Sequence, residues 1–160
     1  MAIVACSTPP GRSGLAVVRL SGKNSYKTIK TFIPNKTLKK KHLFPSLVEL
    51  VDEKGEVFDQ AVVTQYLSPN SYTGEDLVEL SIHGGTATKT AILSTLAHFP
   101  GFRMAHAGEF TRRALINGKM DVVQVEGVGR VVEAETELDL AAGLSALEGN
   151  NSRIYAEMRD

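Results

Sequence analysis

Four side chains stand where packing alone does not call for them. In YTGEDLVELSIHGG, residues 72–85, Glu79 and His83 share one line of a short strand-like run that stops at two glycines. Arg19 interrupts the apolar run LAVVRL (15–20), and Lys119 falls in NGKMD between a helix stop and the next helix start. Side chains alternate faces along a strand, so Val78, Leu80 and Ile82 point one way and Leu77, Glu79, Ser81 and His83 the other. The first set predicts core. The second is either a solvated face or the wall of a polar pocket. SPNSYTGED before it and HGG after it are rich in residues that let backbone approach a ligand closely, and a helix starting near Thr86 would offer free N–H groups to an anionic group. An unpaired buried guanidinium is costly, so Arg19 must find a carboxylate such as Glu79, a backbone carbonyl or a ligand. Lys119 reads as either exposed or pocket-facing.

Other chemistries lack their residues. A phosphate loop needs G-x-x-x-x-G-K-[ST], so that backbone amides cradle phosphates and the hydroxyl reaches magnesium. VVRLSGKN and RALINGKM both have the GK but neither the first glycine nor the hydroxyl, and in NGKMD an extra glycine breaks the guanine-reading N-K-x-D. No nucleotide-triphosphate site is expected in this chain. Histidines 42, 83, 98 and 106 have no metal-ligand spacing, a lone cysteine offers no thiolate cluster, and no G-x-S-x-G elbow occurs. Neither a metal nor a catalytic nucleophile is expected. The basic cluster at 36–41 lacks the interleaved aromatics that stack single-stranded bases.

The elements that must position these residues follow from pattern. The chain has 160 residues, 42% hydrophobic and 22% charged, enough for one domain, or a domain plus a fragment of another, with a core that needs no staples. Eighteen basic residues balance eighteen acidic ones, so no global field draws it to nucleic acid or acidic lipid. One cysteine excludes an internal disulfide and fits a reducing compartment. No run approaches the ~20 apolar residues of a membrane span, and MAIVACSTPPGRSG does not read as a signal peptide. A soluble, cytosolic protein is the expectation.

IVACS and LAVVRL read as strands, the latter of the length of a buried one, with a TPPGRSG turn between them. KNSYKTIKTFI places Tyr26, Ile29, Phe32 and Ile33 at helical spacing, with Asn24 or Ser25 as cap. PNKTLKKKHLFP predicts a loop. SLVELV and VFDQAVVTQYL flank DEKGE as a β-hairpin. LVELSIH is a strand, TATKTAILSTLAHF a helix with Ile92, Leu96 and Phe99 on one face, PGFRMAHAG holds a short extended piece, and EFTRRALIN is a short helix that Gly118 can end.

From Asp121 the pattern changes. Asp121 and Gln124 form a capping-box-like start, and Leu140, Leu144, Leu147, Ile154 and Met158 step at near-heptad spacing. Gly127, Gly129 and Gly143 each cost about 1 kcal/mol against alanine, so a helix here depends on packing. One long helix is expected, still running at Asp160. That predicts a piece of something longer, or one half of an oligomer.

IVACSTPPGRSGLAVVRLSG, PNSYTGEDLVELSIHGG, GFRMAHAGEFTRRALINGKMD and VEAETE together resemble, in order and over essentially the whole chain, the N-terminal part of the tRNA modification GTPases of the MnmE/TrmE family. The resemblance implies an α+β fold: a mixed β-sheet with helices, similar to the folate-binding domain of glycine-cleavage aminomethyltransferases, followed by a long helix. It implies a formyltetrahydrofolate-binding and homodimerisation domain over 1–119, and over 120–160 the first helix of a helical domain. The family's GTPase domain, which uses GTP, magnesium and potassium, and its terminal cysteine motif have no counterpart here. GTP hydrolysis and the tRNA chemistry therefore cannot be run by this chain alone. With the flavoprotein MnmG (GidA), the complete family enzyme modifies the wobble uridine of certain tRNAs, in the cytoplasm or, in a eukaryote, the mitochondrion. Carried over by motif, the folate contacts fall on Arg19, Glu79 and Lys119. VEGVGRVVEA is richer in glycine than the family's first long helix would suggest. The competing expectation is a stand-alone dimerisation or interaction module that has lost folate binding.

Overall fold

A computed structural model describes residues 1–33, 41–52 and 54–148. The chain divides into two compact units, Met1–Ala107 and a second beginning at Gly108.

The first unit is built on a mixed six-stranded sheet. Its strands are β1 (Ala2–Cys6), β2 (Ser13–Ser21), β3 (Ser46–Val51), β4 (Val57–Tyr66), β5 (Leu77–Gly84) and β6 (Phe102–Met104). The spatial order is β3-β4-β5-β2-β1-β6, antiparallel throughout except for the parallel β1–β6 pair at one edge. Helices α1 (Ser25–Thr31) and α2 (Thr86–His98) complete the unit. One face of the sheet is core: Val4, Ala16, Val18, Leu20, Val48, Leu50, Val63, Val78, Leu80 and Ile82 pack with Ile29 of α1 and Ile92 and Leu96 of α2. With the expected hairpin in place, the observed fold is α+β with a mixed sheet. Among the described residues, no helix is long and apolar enough to cross a membrane.

Several local expectations need correction. LAVVRL is not buried on both faces: Ala16, Val18 and Leu20 are core, whereas Leu15 is 66% exposed and Arg19 half-buried. Apolar residues on both faces hid the alternation from the sequence. Asn24 does occupy the N-cap of α1, but in the left-handed conformation (φ 76°) and with no side-chain capping bond, a backbone state that asparagine tolerates better than most residues. Ser25 Oγ instead donates to the Gly22 carbonyl at 2.8 Å. Of the loop expected at 34–45 and the basic cluster within it, residues 34–40 lie outside the described residues.

The glycines that end β5 have distinct tasks. A Cβ on Gly84 would sit 2.1 Å from Ser13 Oγ and 2.4 Å from the Ser13 carbonyl oxygen, so only glycine lets β2 pass there. Gly85 is the N-cap of α2. Lys89, buried in the first turns of α2, donates from Nζ to the Gly11 carbonyl and so ties down the loop that precedes β2.

The second unit is helical. Helix α3 (Glu109–Ile116) carries an i,i+4 pair, Arg113 to Glu109 at 3.1 Å, and ends before Gly118 (φ +66°) as anticipated. Helix α4 (Val122–Glu133) opens with the full capping box between Asp121 and Gln124. The single long helix does not form. The chain leaves helical geometry at Ala134, and α5 (Glu137–Leu147) starts afresh with a second capping box between Thr136 and Asp139. T-E-L-D was the legible signal: a hydroxyl followed three residues later by a carboxylate satisfies two end N–H groups reciprocally and favours a new start. The leucine ladder is not the buried seam either. Leu140 and Leu144 are exposed, while Gly127, Gly143 and Ala146 are buried where α4 and α5 meet. Gln124 Nε2 adds a 3.0 Å bond to the Leu147 carbonyl. Ile154 and Met158 lie outside the described residues.

Candidate functional site

On the sheet face opposite the α1–α2 core, antiparallel register sets Arg19 of β2 directly across from Glu79 of β5. Arg19 donates from both Nε (2.8 Å) and Nη2 (2.6 Å) to the same carboxylate oxygen, Glu79 Oε1. The other oxygen, Oε2, accepts from the Tyr66 hydroxyl of β4 at 3.0 Å. Arg19 also lies over the ring of Tyr72, 5.4 Å from its centroid. The Arg19 and Glu79 side chains are 26% and 21% exposed. They are reachable from solvent, yet screened enough that the pair is not a merely wet contact.

The loop at 67–76 forms one wall. Ser21 Oγ donates to Glu75 Oε2 at 2.7 Å, so its single proton is committed and the 2.7 Å bond to Thr73 must be donated by Thr73. Gly22 N–H closes the join by donating to the Asp76 carbonyl at 2.9 Å. The turn-rich composition of SPNSYTGED thus folds a loop back beside β2, which brings Tyr72 to Arg19 and a second carboxylate, Glu75, to Ser21.

Tyr66 adds a titratable hydroxyl to the cluster. Burial pushes its phenol above the ordinary value of 10.0; the Glu79 hydrogen bond and the Glu79 charge push the same way, and Arg19 opposes them. At neutral pH it is therefore a neutral donor held against a carboxylate. Its ring stands edge-on to His42, 6.4 Å between centroids. The Leu67 N–H donates to His42 Nδ1 at 3.1 Å.

His83 belongs to a different arrangement. Asp59 of β4, nearly buried, accepts from the His83 backbone N–H at 3.0 Å through Oδ2 and contacts ring Nδ1 at 2.6 Å through Oδ1. An ionised carboxylate only accepts, so Nδ1 carries the ring proton. The bonds secure the end of β5, and the imidazole itself is largely exposed.

Lys119 belongs to the second unit. It is exposed beyond α3, and its backbone N–H donates to the Ala114 carbonyl at 2.8 Å. Of the three residues to which the family resemblance assigns folate contacts, the structure brings Arg19 and Glu79 together within the first unit. Sequence reasoning missed Tyr66 and Tyr72. Tyr66 falls at the even end of an alternating strand, on the same face as Thr64, but only the register of β4 against β5 links that face to Glu79.

A cleft of about 820 Å³ lies elsewhere, among Phe32, Phe58, Phe99 and α2 residues including His98. Several of its polar side chains bond locally: Ser94 and Thr95 donate to the Ala91 carbonyl, His98 Nδ1 bonds the Ser94 carbonyl, and Asp52 Oδ1 accepts from the N–H groups of its own turn. The Arg19–Glu79–Tyr66 cluster offers convergent charged groups instead, and it is the stronger candidate. Among the described residues, no three His, Cys, Asp or Glu side chains gather as metal ligands.

Comparison with known proteins bears on this arrangement. The family pattern described as "GTP-binding protein TrmE N-terminus" matches residues 2–119. The tRNA modification GTPase MnmE of Aquifex aeolicus is 40% identical over 158 residues, covering 99% of this chain and 35% of its own length. The MnmE of Fervidobacterium nodosum is 40% identical over 160 residues, with 98% and 35% covered. That of a Wolbachia from Brugia malayi is 38% identical over 157 residues, with the same coverage. The chain spans about a third of the length of these relatives. Matched over most of its length, it belongs to the TrmE N-terminal family.

Proposed function

We propose that this chain supplies the reduced-folate-binding and homodimerisation part of a tRNA-modifying GTPase. The observation that carries the reading is a carboxylate, Glu79, fixed on an open sheet face between a guanidinium and a neutral phenol. A pterin presents adjacent N–H donors along its 2-amino-4-oxo edge, and a carboxylate is the acceptor that matches two parallel donors. Arg19, drawn from Glu79 to the ligand, would meet folate carbonyl or carboxylate oxygens, and Lys119 would do the same. Family membership and the names of the relatives support a part in tRNA modification by a GTPase; the wobble uridine as target and the flavoprotein MnmG as partner belong to the proposal. GTP, magnesium and potassium would act in a GTPase domain beyond these residues. The chain itself supplies folate binding and assembly, without catalysis of its own, in the cytoplasm or a mitochondrion.

Calorimetric titration with 5-formyltetrahydrofolate tests this. A hydrogen bond to a charged group contributes about 1.5–3 kcal/mol, so Glu79→Ala and Arg19→Ala should each weaken binding by roughly 10- to 100-fold. Equal affinity for parent and both variants would remove these residues from the site. A second reading, an interaction module without folate affinity, is favoured by one observation: Leu15, Leu47 and Val62 are exposed on the sheet face that carries Glu79. A dimeric mass with no folate binding on the same sample would select it.

A further inference from the structure

We infer that Tyr66 is a positioning residue of the folate site, holding Glu79 so that Arg19 alone is exchanged when the ligand arrives. The inference rests on the folate reading above and deepens it, giving the phenol beside Glu79 a specific task in ligand exchange.

The two oxygens of Glu79 are employed differently. Oε1 carries both Arg19 donors, whereas Oε2, among the described residues, accepts only from Tyr66. A carboxylate oxygen offers two lone-pair directions, so Oε1 is full and Oε2 has one site open. A donor pair that needs both oxygens can dock only when Arg19 leaves Oε1, and it can do so without disturbing the phenol. Arg19 already lies over the Tyr72 ring while it holds Glu79, a contact it can keep as its N–H groups turn to ligand oxygens.

Without the phenol this asymmetry would collapse. The last torsion of a glutamate is broad and nearly free, and a guanidinium prefers to grip a carboxylate as a fork, one N–H to each oxygen. Tyr66 occupies Oε2 and keeps Arg19 on a single oxygen, which leaves the carboxylate open to replacement of its partner. The ring is itself fixed, by the β4–β5 ladder at Tyr66–Leu77 and by the edge-on contact with His42. The phenol stays neutral, and therefore a donor, across the physiological range.

The test compares 5-formyltetrahydrofolate with its 2-desamino-2-methyl analogue, which lacks one donor of the edge, on the whole chain. The parent should prefer the natural ligand by at least tenfold. Tyr66→Phe keeps the ring and should lose about tenfold for the natural ligand while binding the analogue almost as the parent does, so the preference flattens. His42→Ala removes the surface that steadies the ring and should shift the preference the same way, which provides a second reading if Tyr66→Phe folds poorly. Equal losses for both ligands in these variants, or none, would overturn the role of Tyr66 while leaving the folate site standing. A parent with no affinity for 5-formyltetrahydrofolate would overturn the folate reading and the role of Tyr66 with it.

Discussion

Three glycines in the second unit make opposite predictions for the same substitution. Gly127, Gly129 and Gly143 are all helical, and each should gain about 1 kcal/mol of helix propensity on conversion to alanine. Their surroundings differ. A Cβ on Gly127 would lie 2.8 Å from Leu147 N, 3.0 Å from the Gly143 oxygen and 3.1 Å from Ala146 Cβ. On Gly143 it would lie 2.8 Å from Val131 Cγ2 and 2.9 Å from Val131 N. On Gly129 it would meet nothing within 4 Å. Carbon contacts are comfortable at about 3.5–4.0 Å, so at the first two sites backbone must retreat from backbone by roughly 0.5–1 Å. Overpacking of this kind costs about 1–3 kcal/mol, which cancels or exceeds the propensity gain. Gly129→Ala should therefore stabilise by about 1 kcal/mol, while Gly127→Ala and Gly143→Ala should be neutral to about 2 kcal/mol destabilising. Urea unfolding followed by circular dichroism at the helical band measures all three against the parent. If all three variants gain stability alike, close approach of α4 to α5 is not what these glycines serve.

Further outcomes follow from the same geometry. Ultraviolet titration should place the Tyr66 phenol above 10.0, and Glu79→Gln should bring it part of the way back, because the carboxylate charge goes while burial and an acceptor oxygen remain. Since the folded value is the raised one, this group's stabilising contribution is complete below the ordinary value near 10.0 and is lost as pH climbs through the folded value. Asp59→Ala leaves the His83 N–H without its acceptor and should cost about 1–3 kcal/mol, read as faster hydrogen exchange at the His83 amide. Thr136→Ala removes the capping box that starts α5 and should cost about 1 kcal/mol in the same urea assay.

Where local rules and tertiary demands agreed, the sequence was legible. Alternation in LVELSIH separated Val78, Leu80 and Ile82 from Leu77, Glu79, Ser81 and His83, and burial follows that division except at Leu77, which is buried as well. The hairpin around DEKGE, the helix carrying Ile92 and Leu96, and the capping box at Asp121 rest on short-range chemistry and stand where expected. The reading failed where two local signals competed. From Asp121 onward, leucine spacing argues for one continuous helix while T-E-L-D at Thr136 argues for a restart, and the restart is what forms. The glycines, counted as a cost to that helix, are instead the surface on which two shorter helices meet.

Residue types and spacing by themselves determined that Arg19 needed a partner, because a guanidinium within an apolar run cannot remain unpaired, and left Glu79 on either a solvated face or a pocket wall. They also determined the family, through four motifs in order. They could not determine the partners, because those depend on which strands become neighbours and in what register. Tertiary structure decided that Arg19 faces Glu79 across β2 and β5, a sequence separation of 60 residues, and that Tyr66 reaches the same carboxylate from β4. A period-2 pattern fixes which face a side chain occupies, and only strand pairing fixes what it meets there.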